Sequence, residues 1–339
     1  MKKLVAIFLG LTCLTAVAKD SGSNDKTVNV YSFRQSFLIE PLLQQFTDQT
    51  GIKTKVVFAK SGLIERIKRE GKYSPADVVL TSNFSKLLQL KDEGLTQSFQ
   101  SAEIDQSVPA HFRDENGHWV ALTKRVRNIY ASKAKIANPT NLTYEDLGSA
   151  DFDGKICTRS GKHPYNIGLI SSFIAHKGEA ATEQWLRGVK ANLARKPQGN
   201  DRAQVKAIKE GLCDVSLGNS YYFGKMLTNE DQKPWAEAVN IVFPNQNDRG
   251  VNINVSGAVV AKFAPHSENA KLLIAFLASE KAQQAYASLN MEYPVNPNVE
   301  PSELVASWGK FKEDTLPLTQ IAQYRQAALR LVDKVKFDL

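Results

Sequence analysis

The chain has 339 residues, 42% hydrophobic and 23% charged, with a formal charge of +8. That composition excludes a disordered or fibrous protein. Lysines and arginines are spread without a basic block or interleaved aromatics, so the charge reads as a solvated surface and not a nucleic-acid face.

The first element is a leader. Lys2 and Lys3 precede an apolar run ending at Val17, and Ala16-Val17-Ala18 offers small residues for cleavage, so residues 1–18 read as a secretory signal peptide. The run is too short to span a membrane, and no later run reaches that length. Cys13 does not make it a lipoprotein signal, because Gly10-Leu11-Thr12 matches a lipobox poorly. The mature chain, starting near Lys19, opens on a polar, flexible stretch at 19–27. About 320 residues then favour two lobes.

Residues 28–31 form a short strand, 41–50 a helix with Leu42, Leu43 and Phe46 on one face and Gly51 as its stop, and 52–58 a second strand. A helix at 63–70 ends at Gly71, and 76–80 is a third strand, which gives a parallel sheet with helices on both faces. The rhythm returns with a strand at 155–158, helices at 167–176, 183–195 and 203–210, and a strand at 213–217. The expected architecture is α/β with two lobes: 28–124 plus 251–300, and 125–250 plus 301–339. Strand-like segments at 119–131 and 252–262 serve as hinge crossings. Ligands in open α/β sheets bind beyond the carboxyl ends of strands, so the cleft falls to loops 32–36, 59–62, 81–84, 159–166 and 218–223.

Two of those loops carry tyrosines: Tyr165, and the adjacent Tyr221 and Tyr222. Phenolates are hard anionic donors suited to a hard trivalent cation, and three would neutralise it; the cation itself must drive the protons off. A tyrosine pair is also an ordinary packing unit with a polar tip, and the residues alone leave both readings open. Cys157 and Cys213 remain after the leader; an oxidising compartment favours a disulfide over two buried thiols. His111, His118, His163, His176 and His266 form no i,i+4 ligand pair. Asp77 opens a strand as a structural acid. No Walker or dinucleotide loop and no G-x-S-x-G elbow occurs, so no enzyme chemistry is expected.

The stretch Leu217-Gly218-Asn219-Ser220-Tyr221-Tyr222 resembles the tyrosine pair of the periplasmic ferric-ion-binding proteins, a transferrin-like branch of the type II solute-binding proteins. Val30-Tyr31-Ser32, Ser74-Pro75-Ala76-Asp77, Thr123-Lys124-Arg125, Lys196-Pro197-Gln198-Gly199-Asn200-Asp201 and Glu292-Tyr293-Pro294 resemble further family motifs, in family order. The resemblance implies a monomeric two-lobed clamp, secreted to the periplasm, that hands ferric iron to an inner-membrane ABC permease without entering the membrane or binding nucleic acid. It implies Tyr165, Tyr221 and Tyr222 as iron ligands. It implies Gln35, Arg125, Ser160, Gly161, Asn200 and Asn219 as contacts to a companion anion such as carbonate. Ser160-Gly161 precedes a helix, and helix N-termini favour anions. Where many members carry first-lobe ligands, this chain has Gln35, Ser36 and Ser82, which places the ligand set on the second lobe. The alternative is an anionic or organic solute bound without metal.

Overall fold

The computed structural model describes residues 26–339. The expected signal peptide and nearly all of the 19–27 stretch lie outside them; Thr27 is already buried in the first strand.

In the first half, strands β1 (Thr27–Ser32), β2 (Lys53–Phe58), β3 (Val78–Thr81), β4 (Thr96–Gln97) and β5 (Val120–Ser132) alternate with helices α1 (Ser36–Thr50), α2 (Leu63–Glu70), α3 (Phe84–Asp92) and α4 (Ala102–Ser107). The middle brings β6 (Ile156–Cys157), α5 (Pro164–Ala191), α6 (Asp201–Lys209), β7 (Val215–Asn219), α7 (Ser220–Leu227), α8 (Lys233–Glu237), β8 (Val239–Val242) and β9 (Ile253–Ala261). The chain finishes with α9 (Ser267–Ala278), α10 (Glu280–Asn290), β10 (Tyr293–Pro294), α11 (Glu303–Ala306), α12 (Leu318–Gln323) and α13 (Arg325–Lys334).

The strand path β2-β1-β3-β9-β5-β7-β6 runs through both lobes. β1, β2 and β3 are parallel, as the alternation with helices predicts. β9, the returning crossing, runs antiparallel between β3 and β5. A returning crossing must enter the first sheet from the opposite direction, so antiparallel pairing follows from the hinge. β5 pairs with β9 over residues 120–126 and with β7 over 127–131, so a single strand passes from one sheet to the other.

Local chemistry explains the elements on the cleft. α1 buries Ile39, Leu42, Leu43 and Phe46, each burial worth roughly 1.5–3 kcal/mol. It begins five residues before Pro41, whose missing N–H removes the one helical hydrogen bond that the Phe37 carbonyl would accept. The two helices expected at 167–176 and 183–195 are both present within α5 and are separated at Gly178 (φ 80°, ψ 167°), a conformation that L side chains disfavour. Cys157 and Cys213 are joined, with Cα atoms 5.8 Å apart, because β6 lies parallel beside β7.

Candidate functional site

A cleft of about 460 Å³ opens where the two sheets meet. Phe33, Arg34, Gln35, Phe37, Leu38 and Ser82 line it from the ends of β1 and β3 and the start of α1. Tyr165, Arg202, Tyr221, Tyr222 and Lys225 face them, with Arg125 from β5 and Glu292 near β10 on the floor.

The three tyrosines converge. Tyr165 sits in the first turn of α5, and Tyr221 and Tyr222 in the first turn of α7. The helix begins immediately after β7, so what the sequence reads as a post-strand loop is a helix N-terminus. The phenol oxygens of Tyr165 and Tyr221 lie 3.2 Å apart, and the rings of Tyr221 and Tyr222 are 4.2 Å apart, centre to centre. All three rings are half-buried. Burial, then the neighbouring phenols, push the Tyr221 hydroxyl well above its ordinary value near 10; burial and Tyr165 raise Tyr222 as well. Both are therefore neutral phenols at pH 7, and a cation that takes them as ligands must displace their protons.

Behind the tyrosines lies a buried polar layer. Gly218 admits the Tyr130 ring, which a Cβ would meet at 2.1 Å, and the Tyr130 hydroxyl donates to the Asn219 carbonyl at 2.8 Å. His163 precedes α5 and accepts from the Tyr165 N–H at 3.2 Å through Nδ1. Burial, reinforced by Arg159 and Arg127, lowers its imidazole to about 3, so it stays neutral and able to cap. The Arg125, Arg127 and Arg159 guanidiniums lie 5.8, 6.0 and 5.4 Å from the Tyr165 ring centre.

On the opposite wall Arg34 and Glu292 form a buried pair at 2.7 Å, their side chains 5% and 7% exposed. Thr123 donates to the same carboxylate at 2.9 Å. Burial alone would raise Glu292, but Arg34 and Arg125 outweigh it and hold the carboxyl below the usual range. Arg125 donates to the Ser82 carbonyl, and its buried Nε has no protein partner. Arg34 and Glu292 are missing from the sequence-derived set. Arg34 lies in the first post-strand loop and Glu292 beside a family-like Tyr-Pro, but neither position says that the two meet.

The expected anion contacts divide. Gln35 and Arg125 line the cleft. Ser160 and Gly161 do not: the Ser160 hydroxyl and the Gly161 N–H both donate to Asp338, at 2.6 and 2.7 Å. The Asp338 side-chain carboxylate thus occupies the donors that a helix N-terminus would offer an anion. Asn200 caps α6, accepting from Ala203 N–H at 3.1 Å, and Asn219 accepts from Arg127 behind the tyrosines. Three of the histidines have local partners: His118 with Thr96, His176 with Asp314, and His266 with Asp77. Among the described residues no three His, Cys, Asp or Glu side chains gather to hold a metal, so the tyrosines are the hard oxygen donors that the cleft presents as a group.

The model of the bacterial extracellular solute-binding protein family matches residues 73–311. Iron uptake protein A1 of Synechocystis is 40% identical, covering 93% of this chain and 88% of its own length. The crystal structure of apo ferric ion-binding protein A from Pasteurella haemolytica superposes with a TM-score of 0.89 at 51% identity, covering 93% of this chain and 99% of that one. A Trichodesmium protein solved with iron and citrate ligands superposes at 0.88 and 36% identity, covering 92% and 99%.

Proposed function

The chain belongs to the bacterial extracellular solute-binding protein family, and from that premise we propose that it captures ferric iron in the periplasm and delivers it to an ABC permease. The convergence of Tyr165 and Tyr221 at 3.2 Å, with the Tyr222 ring packed at a tilt against Tyr221, carries the reading. Three phenol oxygens at one cleft wall make a poor solvent-facing packing motif and a good hard-donor set. As phenolates they balance a trivalent charge, so the iron–tyrosine unit is neutral. The Arg125 guanidinium beside it then calls for an added anion, a carbonate or larger carboxylate that Arg125 and Gln35, both on the cleft lining, would hold. Iron is cargo here; no bond of a substrate is made or broken. Closure of the lobes brings Gln35 and Arg125 onto the metal–anion pair, and the closed form is what the permease distinguishes.

The test is a chelator-buffered ferric titration of the mature protein with bicarbonate present, followed by visible absorbance. A saturable phenolate-to-iron band at one iron per chain, absent from the Tyr221→Phe/Tyr222→Phe double variant, is the expected result. A colourless wild type would move the assignment to a metal-free anionic solute.

A further inference from the structure

The tyrosines come from two helices whose first turns are far apart in sequence, and the buried layer behind them ties those turns together. Arg127, on β5, is 3% exposed and does not line the cleft. Its Nη2 donates to Asn166 Oδ1 at 2.6 Å, the residue after Tyr165. Its Nη1 donates to Asn219 Oδ1 at 3.1 Å, two residues before Tyr221, and to Asp201 Oδ2 at 3.1 Å. Asp201, wholly buried at the first turn of α6, also accepts from Arg159 at 3.4 Å and from the Asn219 N–H at 3.4 Å. One planar guanidinium fork thus grips both tyrosine-bearing turns, and one carboxylate holds the fork in place. A lysine has the charge but not the fork.

We propose that the buried Arg127–Asp201 pair is the positioning device of the tyrosine site, fixing the spacing of Tyr165 to the Tyr221–Tyr222 pair and so the grip on the cargo. The inference rests on the ferric reading for its last step only. Groups that orient metal ligands from behind commonly change affinity by about 10–100-fold when altered.

The experiment compares Arg127→Lys and Asp201→Asn with Leu273→Ala, a cavity variant at a buried side chain of helix α9, which carries none of these groups. In the metal-free protein, ring-labelled tyrosine NMR reads the three cleft tyrosines, assigned through their single Phe variants. In the loaded protein, the rate of iron loss to a competing chelator and the energy of the visible band are read. Arg127→Lys and Asp201→Asn should shift the cleft tyrosine signals, move the band and speed iron loss about 10–100-fold, whereas Leu273→Ala lowers Tm and leaves all three unchanged. Unshifted metal-free signals, or iron loss no faster than in Leu273→Ala, would overturn the proposal. If Asp201→Asn does not fold, Arg127→Lys decides alone. A wild type without a visible band would remove the ferric reading, and the metal-free signals would still decide the positioning role.

Discussion

Proton release is the most demanding consequence of a site made of phenols. Tyr221 and Tyr222 are held protonated by burial and by the neighbouring Tyr165, so an oxygen that ligates iron must first lose its proton. With Tyr165 as the third ligand, three protons leave per iron, and affinity rises with pH. Each displaced proton changes the binding constant about tenfold per pH unit, or ~1.4 kcal/mol, so the wild type should weaken about a thousandfold per unit of acidification. Replacing Tyr222 with Phe removes one hydroxyl and should reduce the slope to about a hundredfold per unit. The assay is competition against one chelator from pH 7.5 to 6.0, wild type beside variant. The chelator's own protonation cancels in the difference between the two proteins, which should be one proton. Equal slopes would show that Tyr222 does not ligate as a phenolate, and the three-tyrosine account would fail at that residue.

Glu292→Gln strands the Arg34 guanidinium in a buried site and should cost about 3–5 kcal/mol at neutral pH, measured by denaturant unfolding. Because the folded carboxyl lies below its unfolded value, its contribution is complete above about pH 5 and lost as pH falls through the folded value; the gap between wild type and variant should narrow there. His163 is depressed to about 3 while its unfolded value is near 6.5, so the unfolded chain takes up the proton first and stability drains away below about pH 6.5. His163→Gln should flatten that decline in Tm between pH 6.5 and 4; an unchanged profile would mean that His163 is not held neutral. The double change Cys157→Ser/Cys213→Ser should cost about 2–4 kcal/mol and leave the visible band in place, since neither sulfur lines the cleft. Loss of the band with retained fold would tie the bridge to the site.

The sequence by itself determined what depends on near neighbours. Alternating strands and helices, the apolar face of Leu42, Leu43 and Phe46, the stop at Gly51 and the adjacency of Tyr221 to Tyr222 are short-range features, and period and turn chemistry express them directly. Helix limits were less legible: α1 starts well before Pro41, because packing of Ile39 outweighs one missing hydrogen bond. The tertiary structure alone decided which distant groups meet. Tyr165 reaches Tyr221 across 56 residues, Arg34 reaches Glu292 across 258, and Ser160 and Gly161 are claimed by Asp338 at the far end of the chain. A helix N-terminus attracts any carboxylate, and nothing local distinguishes a bound anion from the side chain of Asp338. Likewise Arg127 looks like any strand arginine until α5, α6 and β7 bring Asn166, Asp201 and Asn219 around it. Such contacts are made by packing between distant segments of one lobe, and pattern within a segment carries no record of them.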